Sequence, residues 1–265
     1  MSVIRRNNIR IAGTGDKTMI FAHGFGCDQN MWRFVAPAFQ TDYRTVLFDH
    51  VGAGGSDLSA YRPDKYASLE GYADDVVQIC DELALRDAVF VGHSVSAIIG
   101  VLAAIQRPEL FDTLVLVGPS PCYLNDGSYL GGFNRSDIEG LLEVLENNYL
   151  GWSRSMAPVI MGNPDQPELS AELTESFCRT DPGIAKQFAR VTFLSDNRED
   201  LALLSKPTLI LQCSEDVIAP QSVGEFMHRN LPRSRFHQLA ATGHCPHLSS
   251  PDETIEAIKS YLAER

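Results

Sequence analysis

The stretch Ala88-Val89-Phe90-Val91-Gly92-His93-Ser94-Val95-Ser96, running on into Ala97–Ile105, decides how the rest of this chain is read. Ala88–Val91 is apolar throughout, which predicts a short strand buried on both faces rather than one with a wet side. A turn of small residues follows at once, and then an apolar helical pattern. A strand, a sharp turn and a helix in that order hold the central serine in a strained backbone conformation with its hydroxyl presented outward, the arrangement of a nucleophile elbow. The last glycine of the G-x-S-x-G pattern is Ser96 here, which adds a Cβ and a hydroxyl where strand and helix run closest. As an isolated pentapeptide the turn carries little weight; the flanking strand and helix give it its meaning.

Working outward, similar runs recur at Met19–Ala22, Thr45–Phe48, Thr113–Val117, Thr208–Gln212 and Phe236–Leu239. Helical patterns lie between several of them, for example at Leu69–Leu83, which is the rhythm of a mostly parallel sheet with helices on both faces: an α/β fold. One interval breaks the rhythm. From about Pro119 to Ser195 there are four helical patterns and no convincing core strand, so a helical insertion is expected there. Ser136 and Glu139 have capping-box spacing, and Ile138, Leu141, Leu142, Leu145 and Tyr149 then share one helical face. Asp181-Pro182 supplies an N-cap and a first-turn proline ahead of Ile184, Phe188 and Val191. Most of these apolar positions are expected to pack on one another. A minority, with Trp152, Met156, Phe177 and Phe193 the bulkiest, is expected to face a cavity under a lid.

A serine hydroxyl is a poor nucleophile near neutral pH. It needs an imidazole to take its proton and a carboxylate to fix the imidazole tautomer. Asp216 follows the strand at Thr208–Gln212, where a catalytic loop belongs, and His244 follows Gly243 after the strand at Phe236–Leu239, just before the closing helix near Asp252. The order Ser94, Asp216, His244 suits an elbow of this kind. Each has a rival. Glu215 adjoins Asp216, and His247 lies three residues beyond His244, deeper toward the helix, where a structural hydrogen bond or a cap is the expected role. Cys245 between the two histidines makes an H-C-x-H pattern, but no second ligand cluster accompanies it and no metal is expected. The charge that develops on an attacked carbonyl needs preorganised donors. The backbone N–H of Val95 is one candidate, and that of Phe25, in His23-Gly24-Phe25-Gly26, is the other.

Other functions are less well supported. Gly52-Ala53-Gly54-Gly55 follows a strand, yet it lacks the third glycine of a dinucleotide fingerprint and its strand is not the first of the sheet, so it reads as a tight turn and no cofactor is expected. The chain has 265 residues, 44% hydrophobic and 21% charged, which suits one large globular domain or two small ones. Its 22 basic and 34 acidic residues leave a formal charge of −12, which repels a phosphate backbone and argues against nucleic acid. No run reaches the roughly 20 apolar residues that cross a bilayer. The six cysteines are dispersed with no CxxC pair, and a reducing cytoplasm is the expected setting.

Three longer motifs narrow the reading. His23-Gly24-Phe25-Gly26-Cys27-Asp28-Gln29, Gly118-Pro119-Ser120-Pro121-Cys122-Tyr123-Leu124-Asn125-Asp126 and Gly243-His244-Cys245-Pro246-His247-Leu248 resemble the RsbQ-like bacterial stress-regulatory hydrolases, with a likeness that extends to the plant karrikin and strigolactone receptors of the same α/β-hydrolase group. The resemblance spans nearly the whole chain. It implies an α/β-hydrolase core at 1–118 and 196–265 with a four-helix lid at 119–195, and it places nucleophile, acid and base on Ser94, Asp216 and His244. It also implies an apolar pocket walled by Phe25, Trp152 and Phe193, and Tyr123, Leu142, Met156, Phe177, Val217 and Ile218 complete the expected lining. The implied ligand is a small hydrophobic ester or lactone, and the implied partner is a PAS-domain phosphatase in energy-stress signalling. Related elbows also serve carbon–carbon bond hydrolases and cofactor-free haloperoxidases, a choice that fold alone leaves open.

Overall fold

The computed structural model describes residues 2–265. Among them, seven strands form one sheet: β1 (Arg10–Ala12), β2 (Lys17–Ala22), β3 (Tyr43–Phe48), β4 (Ala88–His93), β5 (Phe111–Val117), β6 (Thr208–Glu215) and β7 (Ser234–Thr242). Their order across the sheet is β1-β3-β2-β4-β5-β6-β7. Only the β1–β3 pair is antiparallel; Met19 pairs with Thr45 on one side and Val89 on the other, both in parallel register. Six of these strands were expected from the apolar runs. The three-residue edge strand β1 was not, because all three of its residues are exposed and carry no burial pattern.

Parallel strands buried on both faces need helices on each side. Ile20, Ala22, Phe48, Phe90 and Leu116 point to one face, where α2 (Leu69–Glu82) and α3 (Val95–Gln106) cover them. Met19, Phe21, Val89, Val91, Val117 and Leu211 point to the other, against Trp32, Phe39 and the Ile258 and Tyr261 side chains of α10 (Pro251–Ala263). Of the remaining α-helices, α1 (Val3–Arg6) packs on α2, α8 (Gln221–Asn230) lies against β6 and β7, α9 (Pro246–Ser249) lies against β7, and four more fall between β5 and β6. The chain leaves β2 to one side and returns as β4 on the other, so the loops after β2 and β4 flank a point where strand order reverses. In open parallel sheets that crevice, at the carboxyl ends, is where ligands bind.

The inserted helices are α4 (Arg135–Asn147), α5 (Tyr149–Met161), α6 (Pro167–Arg179) and α7 (Pro182–Leu194). The first begins one residue before the expected capping serine. Asn134 is its N-cap, and the Asp137 carboxylate accepts the Asn134 N–H at 2.7 Å, so the capping box uses a spacing two residues earlier than Ser136 and Glu139. Asp181 caps α7 as expected, accepting from the Gly183 and Ile184 N–H groups. Tyr149 does not share the face of Ile138, Leu142 and Leu145: the chain breaks at Asn148 and Tyr149 opens α5. Specific ties seat these helices on the sheet. Arg33 makes two hydrogen bonds to the Glu172 carboxylate, Ser176 donates to the Gly26 carbonyl, and the His244 N–H donates to the Ile160 carbonyl at 2.9 Å.

Candidate active site

Ser94 sits between β4 and α3 with φ +56° and ψ −124°, a conformation that residues with a side chain rarely adopt. Its N–H donates to the Val117 carbonyl on the neighbouring strand. The turn is tight enough that a Cβ on Gly92 would lie 2.5 Å from the Ser96 carbonyl oxygen, and one on Gly24 would lie 2.6 Å from His93 Nδ1, so both positions require glycine for close approach.

The serine, histidine and aspartate singled out in the sequence come together. His244 Nε2 is 2.8 Å from Ser94 Oγ, and His244 Nδ1 is 2.7 Å from Asp216 Oδ2. A carboxylate only accepts, so the imidazole proton belongs on Nδ1 and Nε2 is left to accept from the serine hydroxyl. The other carboxylate oxygen, Oδ1, accepts from the Ile218 and Ala219 N–H groups. All three side chains are buried. Glu215 is exposed, with its carbonyl accepting from the Gly243 N–H.

His247 is buried against the Trp32 and His93 rings, at centroid distances of 4.6 and 4.4 Å. It makes neither the expected hydrogen bond nor a cap: both ring nitrogens lack a partner among the described residues. Burial holds its pKa down at about 3, so it stays neutral. His93 is shifted the same way by burial, with Nε2 directed at the His244 carbonyl at 2.8 Å. No cluster of potential metal ligands occurs among the described residues.

Val95 is the first residue of α3, so its N–H has no acceptor within the helix and points out of the positive helix end. The Phe25 N–H has no backbone acceptor among the described residues either. The Gly52–Gly55 segment is a turn wrapped on Asp49, whose carboxylate accepts from the Gly55 and Gln29 N–H groups.

Above Ser94 lies a cavity of about 30 Å³, room for about two water molecules. Phe25, Tyr123, Trp152, Phe177, Phe193 and Ile218 line it, as expected. Leu142, Met156 and Val217 do not. Leu142 points into the packing among the inserted helices, Met156 lies partly buried against that cluster, and Val217 is 57% exposed because the two N–H bonds to Asp216 turn its loop outward. Cys27, Ile160, Leu173, Thr192 and Cys245 complete the wall. Cys27 and Cys245 lie within the motifs quoted above; the other three could be placed only once the helices were packed. Burial, then the neighbouring Cys27 thiol and the Asp216 carboxylate, raise the Cys245 thiol well above its ordinary range, so it contributes bulk rather than a thiolate. Burial pushes the Tyr123 phenol up to about 12, and its hydroxyl has no hydrogen-bond partner among the described residues. Wider grooves on the surface, such as that between Glu70 and Arg190, contain none of these groups.

A buried Ser–His–carboxylate chain at the floor of an apolar cavity, beside two free backbone N–H groups, is equipped for acyl transfer without a metal or cofactor. Comparisons with known proteins agree on the class. The chain is 39% identical over 257 residues to karrikin insensitive 2 receptor CA of Petunia hybrida, covering 97% of this chain and 95% of that one. It is 38% identical over 262 residues to strigolactone esterase D14 of Arabidopsis thaliana, covering 98% of each. The solved structure of a hydrolase from Oleispira antarctica superposes with a TM-score of 0.97 at 42% identity, covering 99% of this chain and 97% of that one. No helix among the described residues is long and apolar enough to cross a membrane. Residues 19–257 match the model of the alpha/beta hydrolase family, and the chain belongs to that family as an esterase-like hydrolase.

Proposed function

We propose that the chain hydrolyses a small hydrophobic ester or lactone through an acyl-enzyme on Ser94, with His244 as base and Asp216 holding its tautomer. The observation that carries this reading is the 2.8 Å and 2.7 Å hydrogen-bond chain beneath an apolar cavity. As Ser94 Oγ attacks the carbonyl carbon, its proton passes to His244 Nε2 and the carbonyl oxygen takes the negative charge, facing the Phe25 and Val95 N–H groups. Collapse of the tetrahedral adduct breaks the bond to the alcohol oxygen, which leaves with the proton from His244. Water then repeats the sequence on the acyl-serine: it gives a proton to His244, attacks the carbonyl, and Ser94 departs reprotonated. In a lactone the alcohol stays on the acyl chain throughout, so the second step releases a single hydroxy acid. Residues 119–195 act as the lid, excluding water during chemistry. Because the cavity holds only about two waters, entry of even a short ester requires the aromatic wall or the helices to move.

The test is steady-state hydrolysis of p-nitrophenyl acetate by wild type and Ser94→Ala. A fall of roughly 10³-fold or more is expected, with residual rate from binding and the oxyanion donors alone. Activity at the wild-type level in Ser94→Ala would discard the assignment.

A second reading is favoured by the similarity to proteins named as receptors and by the small volume of the cavity. Here turnover is slow and resets a cytoplasmic ligand sensor that acts in stress signalling beside a PAS-domain phosphatase, the role of the RsbQ-like proteins whose motifs this chain resembles. A switch requires that the partner bind the liganded and free forms differently. Titration of a purified phosphatase of that class, with and without a trapped acyl-Ser94, should give two affinities; equal affinities would remove this role.

A further inference from the structure

Three side chains behind the cavity are not accounted for by the triad: Ser96, His50 and His23, all buried. Their hydrogen bonds form one directed chain. Ser96 Oγ is 2.5 Å from the His23 carbonyl oxygen, which can only accept, so the single hydroxyl proton goes there. The 2.7 Å contact between Ser96 Oγ and His50 Nε2 must then be donated by the histidine, which puts the His50 proton on Nε2. The His50 backbone N–H donates to His23 Nε2 at 3.1 Å, which leaves the His23 proton on Nδ1, 2.8 Å from the Gly24 carbonyl oxygen.

That last bond reaches the chemistry. The Gly24 carbonyl and the Phe25 N–H belong to one rigid peptide plane and point in opposite directions. Holding the Gly24 oxygen therefore aims the Phe25 N–H. Ser96 is also the residue after Val95, whose N–H is the other candidate donor, and its hydroxyl fastens the start of α3 to the peptide that precedes Gly24. The chain thus ties together the ends of β2, β3 and β4 and sets the separation of the two N–H groups. With glycine at position 96, the His23 carbonyl and the His50 Nε2–H would lose this partner in the interior, each at the cost of a stranded polar group.

We infer that Ser96, supported by His50 and His23, is a positioning residue that sets the oxyanion hole for the reaction at Ser94. This rests on the acyl-transfer reading of Ser94. Its hydroxyl touches no reacting atom; it acts by aiming the Phe25 and Val95 donors. Such a role separates from a merely structural one, because donors built for the transition state leave ground-state binding unchanged.

The experiment measures kcat and KM for p-nitrophenyl acetate, and the inhibition constant of propylboronic acid, a small acid that forms a tetrahedral adduct on an active serine and places an oxygen in the oxyanion hole. In folded Ser96→Ala, kcat should fall about 10- to 100-fold with KM held within roughly twofold. Boronate affinity should weaken by the same factor as kcat. His50→Gln, which can still donate to Ser96, should keep most of the wild-type kcat, and His50→Phe, which cannot, should lose it. Wild-type kcat and boronate affinity in Ser96→Ala would overturn the inference while leaving the nucleophile in place. If Ser96→Ala does not fold, the His50 pair decides: equal kcat for the Gln and Phe variants overturns it, and a lower kcat for Phe at unchanged KM upholds it. Wild-type protein that neither turns over the ester nor binds the boronate would sink the acyl-transfer reading and this inference together.

Discussion

The sheet that floors the cavity and the helices that roof it meet the cavity through different kinds of contact. In the floor, Ser94, His244 and Asp216, together with Ser96, His50 and His23, are linked by directed hydrogen bonds, which fix orientation as well as distance. The roof presents Trp152, Phe177 and Phe193, with the Phe25 ring reaching up from the floor to lie edge-on to Trp152 and Phe193 at 6.0 and 6.3 Å. Unpartnered polar atoms occur on both sides among the described residues, Trp152 Nε1 and Thr192 Oγ1 in the roof and His50 Nδ1, His93 Nδ1 and both His247 nitrogens in the floor, so ring contacts are what set the roof apart. Apolar contact is non-directional, so a roof of this kind can re-pack around different ligands, whereas the floor tolerates little displacement. The difference predicts that substitutions in the two hydrogen-bonded chains of the floor change the rate, while substitutions above change which ligand enters and how stable the protein is.

The sharpest way to break that division is Asp216→Asn. The amide preserves shape but can leave the proton on the wrong nitrogen of His244, and kcat for p-nitrophenyl acetate is expected to fall by about 10⁴-fold with little change in Tm. A loss smaller than tenfold would mean that the floor does not depend on the tautomer of His244. Trp152→Ala tests the roof. Removing a buried indole should cost about 3–5 kcal/mol in denaturant unfolding, while the enlarged cavity raises kcat/KM for p-nitrophenyl hexanoate relative to the acetate. An unchanged chain-length preference would separate the roof from selection.

The smallest effect comes from His247, below the site. Its folded pKa of about 3 lies under the ordinary value of 6.5, so as pH falls below 6.5 the unfolded chain takes up a proton that the folded one refuses. Stability therefore declines from about pH 6.5 toward pH 3, and His50 and His93, also shifted down by burial, act in the same direction. His247→Phe should flatten that decline by roughly 1.5 kcal/mol between pH 6.5 and 5, read from urea midpoints at each pH. An identical acid profile in the variant would show that His247 does not carry this share.

What the sequence disclosed follows the same division. Strands buried on both faces write themselves as continuous apolar runs, and the elbow, Asp216 and His244 each fall at a strand end, so the floor could be placed from residue order. Pocket lining at Phe25, Trp152, Phe177 and Phe193 was also foreseeable, because bulky side chains in an insertion need something to cover. Leu142, Met156 and Val217 were misplaced for a physical reason. Helical periodicity shows that a face is apolar without showing whether a neighbouring helix or a cavity covers it, and the outward turn of Val217 comes from backbone bonds to Asp216. The Ser96–His50–His23 chain was invisible as a network, since its members are 27 to 73 residues apart and meet only when β2, β3 and β4 align.

The most direct measurement of the central claim is rapid-quench intact-mass analysis of the protein mixed with p-nitrophenyl acetate, followed by peptide mapping. An acyl-enzyme predicts a transient gain of one acetyl group, located on Ser94 and absent from Ser94→Ala. Turnover with no adduct on Ser94, or an adduct that persists at the same rate in Ser94→Ala, would contradict it.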